Sequence, residues 1–361
     1  MNVVNGALRA YFLFDVADTI DLTRLRTAGG AGFERADLPL RPHTSPAYLQ
    51  FPTPPLVARL SDGAFGSATV GRRVKIFDYG VVSVRLSTPF SGAWHDFIAA
   101  SGAFRSNERI VTIARDTVRM LQDEIGDAFD EPHSALIEDY FISEVAEFEG
   151  GVTADALLAS NANDIVTLLQ GEVGTFSALQ RDEALRERFS YFKDDLTVVQ
   201  WDAAFIYDRP ESAEATEEIL EFANSQLVEL RTYDALLDRE LDAIYAGAAR
   251  SSFRSAFGRR AAERAANLRY LIVDVLELID RSSNALKIIG DAHYARIYRG
   301  AARRLGLEQW QNQVDRKIQS VGDVYRFFSD EARSGRDVFL EVVVIVLIAT
   351  EIVLGVLALH H

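Results

Sequence analysis

The chain has 361 residues, of which 48% are hydrophobic and 25% are charged, and this balance predicts a globular protein with room for two domains. A formal net charge of −15 argues against general nucleic-acid binding, because neutralising phosphates requires a basic surface. The absence of cysteine excludes disulfides, thiolate nucleophiles and zinc–thiolate sites. The N-terminal stretch has neither the order of a secretion signal nor the composition of a transit peptide, so we expect no cleaved leader.

Residues 1–208 alternate strand-like and helical stretches and predict an α+β head domain. The predicted strands are LRAYFLFDV, VGRRVKIFDYG, VVSVRLSTPF and ALIEDYFISEVAEF, and the predicted helices are IDLTRLR and the stretch 94–129. A further helix, TADALLASNANDIVTLLQ, is predicted to lead to further strands in RFSYFKDDLTVVQWDAAFIYD. A polar, Gly- and Pro-rich passage over residues 27–55 is expected to be a loop. The resulting β-α-β-β-α-β order is that of a ferredoxin-like domain.

Residues 209–336 change to a helical pattern and predict a long antiparallel, coiled-coil-like stalk of three helices. In the first helix, apolar residues recur at alternating spacings of three and four, with Asp234 as the polar interruption. These apolar residues are Leu220, Ala223, Leu227, Leu230, Leu237, Leu241 and Ile244.

Residues 337–359 are almost entirely apolar and predict one C-terminal transmembrane helix, because a helix of this length crosses the hydrocarbon core of a bilayer. Basic residues precede the span, and only His360 and His361 follow it. The positive-inside rule then places the N-terminal body in the cytoplasm. We therefore expect a single-pass protein of the bacterial inner (cytoplasmic) membrane.

Four residues of the predicted span, Glu341, Ile348, Glu351 and Gly355, fall near one helix face. A small residue on that face allows close approach of another helix, so the stripe predicts self-association within the membrane. Two alternatives stay open: a proton or ion path along the stripe, or a Glu351 that merely reaches toward the bilayer surface.

An arginine-rich segment between Arg250 and Arg269 carries six arginines and one acid, Glu263. Such a segment predicts contact with anionic lipid or phosphate. The predicted contact residues are Arg250, Arg254, Arg259, Arg260 and Arg264. The alternatives are an exposed helix edge that pairs with the acidic body, or RNA phosphate, although we expect no specific nucleic-acid partner.

The common catalytic and nucleotide-binding motifs are absent from the sequence, namely GxxxxGK[ST], strand-linked GxGxxG, HExxH and GxSxG. The acid cluster at residues 123–131 lacks the ligand spacing of an EF-hand. We therefore predict no catalytic residue, no cofactor and no metal site.

Several stretches together resemble the "required for meiotic nuclear division" family, and the chain is similar to its bacterial members. They are RAYFLFDVADTIDLTRL, IFDYGVVSV, LEFANSQLVELRTYDALLDREL and IGDAHYARIYRGAARRLGLEQWQNQVDRKIQSVGDVYRFFSDEARSGRDVFLEVVVIVLIATEIVLGVL. The resemblance implies a membrane-anchored scaffold or tether that supports translation, and it supplies no catalytic residues.

These features lead to the prediction of a membrane-tethered, self-associating scaffold without catalytic activity. Its expected partners are membrane lipids, further copies of the chain and a ribosome or another protein. The alternatives are an oligomeric, ion-conducting or metal-transporting membrane protein and a membrane-bound enzyme. Such an enzyme would work in the 27–55 loop or around Trp201, although a core position explains this tryptophan adequately.

Overall fold

The structure is a computed structural model, and it describes residues 1–28, 41–42, 51, 53–65, 68–250 and 291–323. The described residues fall into two compact units. The first unit contains the described parts of 1–232 and 291–311, and the second contains those of 233–250 and 312–323.

The described elements begin with a long strand and end in helices. The strands are β1 (Asn2–Ile20), β2 (Arg41–Pro42), β3 (Leu56–Phe65), β4 (Ala68–Ile76), β5 (Val81–Ala93), β6 (Phe129–Phe148), β7 (Arg188–Phe189), β8 (Leu196–Val199) and β9 (Ala203–Tyr207). The helices are α1 (Leu22–Ala28), α2 (Trp94–Arg105), α3 (Glu108–Ile125), α4 (Ala154–Gln170), α5 (Ala178–Ala184), α6 (Pro210–Arg250), α7 (Ala292–Leu305) and α8 (residues 307–323).

The strands form a nine-stranded sheet in the order β2-β3-β4-β5-β1-β6-β9-β8-β7. The long strand β1 pairs antiparallel with both β5 and β6, and β6 pairs in parallel with β9. The helices α2 and α3 connect β5 to β6, and α4 and α5 lie on the connection from β6 toward β9. Parallel strands need such crossover connections, whereas antiparallel neighbours can be joined by a short turn.

The expected ferredoxin-like α+β head is wrong, because the chain is a mixed α/β protein built on this larger sheet. The strand β3 extends the sheet beyond the predicted strands, whereas β7, β8 and β9 lie within the stretch RFSYFKDDLTVVQWDAAFIYD, for which further strands are predicted. The predicted helix over 94–129 is two helices, since Asn107 stands between α2 and α3 and its side chain caps α3 by accepting from Arg109 N at 3.0 Å.

One face of the sheet is apolar and is covered by α2, α3 and α4. Alternate residues of β1 point to this face, namely Leu8, Ala10, Phe12 and Phe14. The helices contribute buried residues that include Phe97, Ile110, Val118, Leu121, Leu157 and Ile165. Trp94 stacks on Phe97 with ring centroids 5.7 Å apart, so aromatic packing closes one part of this apolar core.

The second unit contains the last part of α6 and most of α8, with Leu237 and Val314 buried. Lys317 Nζ lies 2.6 Å from Asp234 Oδ1 and 2.7 Å from Asp238 Oδ1. Gln313 also donates to Asp234 Oδ1 at 3.0 Å. Asp234, the polar interruption of the predicted helix seam, therefore pairs α6 with α8.

The predicted coiled-coil-like stalk is wrong for the first part of α6, because residues 213–230 are buried in the first unit except for the exposed Glu214. Glutamates in this stretch are buried along with the apolar positions, which an isolated helical stalk could not achieve. These glutamates are buried because this part of α6 packs against a face of the sheet that carries Arg73 and Lys75.

Among the helices of the described ranges, none combines the length and the apolar character that a membrane span requires. This finding contradicts the predicted transmembrane helix, the single-pass topology and the inner-membrane location. The predicted span itself, residues 337–359, lies outside the described residues.

Candidate functional site

The second face of the sheet carries charged and polar side chains at positions that alternate with the apolar ones. On this face Tyr11 of β1 lies opposite Arg85 of β5, and Arg85 lies opposite Arg73 of β4. Arg9 lies two residues before Tyr11, Lys75 lies two residues after Arg73, and Glu144 of β6 contacts Arg9. A strand places alternate residues on the same face, so these charges converge on one surface.

Helix α6 covers this surface with glutamates. Pro210 is its first residue, which suits proline because the missing N–H has no partner inside the helix. Glu214, Glu217, Glu218 and Glu221 follow at helical spacing, so their side chains share one stripe. We call the buried or mostly buried set the ionic face. It comprises Arg9, Tyr11, Arg73, Lys75, Arg85, Glu144, Glu217, Glu218 and Glu221.

Lys75 lies at the centre of the ionic face, with a side chain only 2% exposed. Its Nζ donates to Glu218 Oε2 at 2.5 Å and also contacts Glu221 Oε2. Both carboxylates are 1% exposed, so two acids share one buried cation.

Arg73 supplies the second cation toward the same two acids. Its Nη2 lies 3.3 Å from Glu218 Oε1 and 3.7 Å from Glu221 Oε2, and its Nη1 lies 3.5 Å from the exposed Glu214. Burial alone would lower the pKa of Arg73, but Tyr11 and the neighbouring glutamates raise it overall. Arg73 and Lys75 together therefore neutralise the pair Glu218 and Glu221.

Glu217 collects three partners from the sheet. Arg9 Nη1 lies 2.5 Å from its Oε1, Arg85 Nη1 lies 3.3 Å from its Oε2, and Tyr11 donates its hydroxyl to Oε2 at 2.6 Å. Burial, and then the negative charge of Glu217, raise the pKa of Tyr11 well above its ordinary value. Tyr11 is therefore a hydrogen-bond donor here and not a base.

The ionic face is balanced in charge. Four cations, Arg9, Arg73, Lys75 and Arg85, meet four buried carboxylates, Glu144, Glu217, Glu218 and Glu221. Within the described residues, the Nε atoms of the three arginines have no hydrogen-bond partner. The charges of this interface are therefore fully compensated, whereas three of its N–H donors have no hydrogen-bond acceptor among the residues that the structure describes. A buried ionic cluster of this kind contributes little net stability but strongly penalises any arrangement that separates its charges.

Further polar contacts fix α6 along its length. Tyr79 and Ser225 share a hydrogen bond of 2.8 Å, and Tyr298 of α7 donates to Gln226 at 2.5 Å. On β1, Asp15 lies 3.4 Å from His133. Burial raises the pKa of Asp15, and the contact with His133 opposes that rise. Helix α6 is thus held through polar contacts to β1, β4 and β5 and to α7.

The predicted site residues are not brought together in the described structure. Arg250 is the last residue of α6. The remaining predicted lipid or phosphate contacts, Arg254, Arg259, Arg260 and Arg264, lie outside the described residues. The same holds for the predicted membrane interface of Glu341, Ile348, Glu351 and Gly355. Trp201 is described, and its expected core position is wrong, because it is 65% exposed in the turn between β8 and β9.

Two signals of the ionic face are present in the sequence, although neither by itself indicates a site. Polar residues alternate with apolar ones in β1 and β4, and glutamates recur at helical spacing after Pro210. In the described part of the chain, no group of three or more His, Asp or Glu side chains is placed to hold a metal ion.

A family model described as "Uncharacterized protein MJ0711, N-terminal domain" matches residues 5–214. The curated protein "Uncharacterized protein MJ0711" of Methanocaldococcus jannaschii is 21% identical over 201 residues. That alignment covers 56% of this chain and 61% of the relative, so the chain spans about three fifths of the relative's length. No solved structure matches the chain.

The family match covers the sheet strands β1 to β9 and ends within the first turns of α6, at residue 214. It includes the sheet side of the ionic face, whereas Glu217, Glu218 and Glu221 follow it. The resemblance to the "required for meiotic nuclear division" family is wrong, since the match is to a different family. The chain belongs to the family of the MJ0711 N-terminal domain.

Proposed function

We propose that the protein is a non-catalytic scaffold that associates with copies of itself. The observation that carries this proposal is the ionic face, whose charged groups are turned toward one another and away from solvent. General acid–base catalysis requires a titratable group within reach of a substrate. Groups that neutralise one another between a sheet and a helix serve instead to hold that helix in one position.

Exposed apolar side chains on adjoining loops supply a surface for self-association. Arg105 forms an ion pair with Asp202 and donates to the carbonyl of Leu169 at 3.0 Å. It therefore ties the turn that carries Trp201 to the end of α4, just before Val173, which is 93% exposed. Clustered exposed apolar groups are typical of interaction sites, whereas isolated ones are not.

Self-association is tested by sedimentation velocity of the full chain at increasing concentration. We expect the wild type to form a defined oligomer, and the double variant Trp201→Ala with Val173→Ser to shift toward monomer. Val4→Ser is the matched control, because Val4 is an exposed apolar residue of β1. A wild type that stays monomeric throughout would contradict the proposal.

A structural role of the ionic face is separated from a chemical role by the quadruple variant Arg73→Met, Lys75→Met, Glu218→Leu and Glu221→Leu, which removes two cations together with the two carboxylates that they neutralise. Replacing a whole buried ionic group by apolar residues is often neutral or stabilising, so α6 should stay docked. A scaffold would keep its oligomer and restore a strain that lacks the gene. A folded, oligomeric variant that fails to restore the strain would show that the ionised groups are needed for chemistry.

A further inference from the structure

A row of four aromatic rings lies beside the start of α6 and the start of α7, away from the ionic face. Tyr191 and Phe192, in the turn between β7 and β8, have ring centroids 4.8 Å apart. Tyr191 and His293 follow at 5.4 Å, and His293 and Tyr294 at 5.6 Å. Tyr191 is 66% exposed and Phe192 is 60% exposed, so this aromatic row presents its first two rings to solvent.

Hydrogen bonds fix the backbone that carries these rings. Asp195 accepts from the backbone N–H of Tyr191 at 2.7 Å and from that of Phe192 at 2.5 Å. On α7, the N-cap Asp291 accepts from His293 N at 2.7 Å. A backbone that is already ordered loses little conformational entropy when a ligand binds, which favours recognition.

Acidic side chains surround the aromatic row. Asp208 feels the negative charges of Asp194 and Asp195, and His293 feels those of Asp195 and Asp291. Tyr294 feels the charges of Asp208, Asp291 and Asp195. Burial, and then the negative charges of Asp195 and Asp194, raise the pKa of Asp208 to about 6 despite the opposing effect of Arg209. Burial and Arg296 lower the pKa of His293, so this ring is neutral near pH 7. Four aspartates thus face two cations, Arg209 and Arg296, and the remaining negative charge favours a positive ligand.

The chain already places one of its own cations on this surface. The guanidinium of Arg209 lies 6.0 Å from the centre of the Phe192 ring, and its Nη2 lies 3.6 Å from Asp194 Oδ2. Stacking on an aromatic face combined with a carboxylate contact is the typical environment of a guanidinium group. Over the Tyr191 ring, by contrast, no cation is found within the described ranges.

We propose that the aromatic row and its aspartates form a binding site for an arginine side chain of a partner protein, which makes a cation–π contact with Tyr191 as Arg209 does with Phe192. Charge complementarity and the internal Arg209 contact select this occupant. A planar guanidinium gains from both the ring faces and the carboxylates, whereas a lysine ammonium gains mainly from the charge. The site is distinct from the proposed self-association surface at Trp201, since Tyr191 and Phe192 precede β8 and Trp201 follows it, at the opposite end of that strand.

The test compares two short acetylated peptides of equal charge, one alternating glycine with arginine and the other alternating glycine with lysine. Binding to the full chain is followed by fluorescence anisotropy. We expect the arginine peptide to bind about two- to fivefold more tightly per stacked ring, which corresponds to an exposed cation–π contact. Equal affinity for the two peptides would overturn the proposal.

The double variant Tyr191→Ala with Phe192→Ala should lose the preference for arginine while keeping the net charge. Both side chains are largely exposed, so its circular dichroism and melting temperature should match the wild type. His95→Ala removes an exposed ring of α2, outside both proposed surfaces, and should keep the preference. A preference that survives in the double variant, or that is lost with His95, would refute the site. Competition by free N-acetylarginine amide at the same concentration as the peptide would assign the surface to a small ligand instead.

Discussion

One face of the sheet packs apolar side chains against α2, α3 and α4, whereas the other packs cations and Tyr11 against the glutamates of α6. Apolar burial is non-directional and grows with the area removed from water, so it stabilises many similar arrangements. In a buried ion pair, the attraction between the charges offsets the cost of removing them from water only when the two groups keep one geometry. The comparison indicates that the apolar face supplies most of the stability, and that the ionic face determines where α6 lies.

The largest difference between the faces should appear when Lys75 is changed to Met. This change leaves Glu218 and Glu221 with one buried cation fewer, and breaking a buried pair costs about 3–5 kcal/mol. Urea unfolding at neutral pH measures the loss. Arg119→Met, at a side chain 74% exposed, is the control. A loss no larger than that of the control would show that the ionic face does not hold α6.

The apolar face is tested by Leu121→Ala in α3. Leu121 is fully buried, and removing a buried leucine costs about 2–5 kcal/mol because a cavity remains. The loss should not depend on pH, since no titratable group is involved. Leu179→Ala, at an exposed leucine, is the matched control. A strong pH dependence of the Leu121 variant would break the distinction between the two faces.

A single hydrogen bond within the ionic face is tested by Tyr11→Phe. The ring is kept, and only the donor to the carboxylate of Glu217 is removed. A hydrogen bond to a charged group contributes about 1.5–3 kcal/mol, so the free energy of unfolding should fall by an amount in this range. Tyr191→Phe, on an exposed ring, should be neutral. An unchanged stability would mean that the arginines alone satisfy Glu217.

The smallest effect is expected at Asp208, just before α6. Its pKa rises from 3.8 to about 6 on folding, so the folded protein binds the proton more tightly than the unfolded chain does. Stability therefore falls as the pH rises through this window. Asp208→Asn should raise the melting temperature modestly above pH ~6 and leave it unchanged below pH ~4. The reverse dependence on pH would show that the carboxylate stabilises the fold when ionised.

Much of the local structure follows from sequence patterns. The apolar and aromatic content of LRAYFLFDV predicts part of β1, and the helical periodicity places Ile110, Val118 and Leu121 in the apolar core, where they are buried. The strand order could not be predicted in the same way, because β1 pairs with strands that begin at Val81 and at Phe129. Such pairings depend on contacts far apart in the chain and leave no local pattern.

The sequence by itself determined that residues 73 and 75 are basic on one strand face and that residues 214–221 carry a glutamate stripe on a helix. Only the tertiary structure decided that both are buried together. Charged residues are ordinarily expected in solvent, because burying an unpaired charge is costly. Lys75 avoids that cost through Glu218, which lies 143 residues away along the chain. The basic strand face and the glutamate stripe of α6 each have the sequence pattern of a solvated surface. Folding buries both, because it packs one against the other.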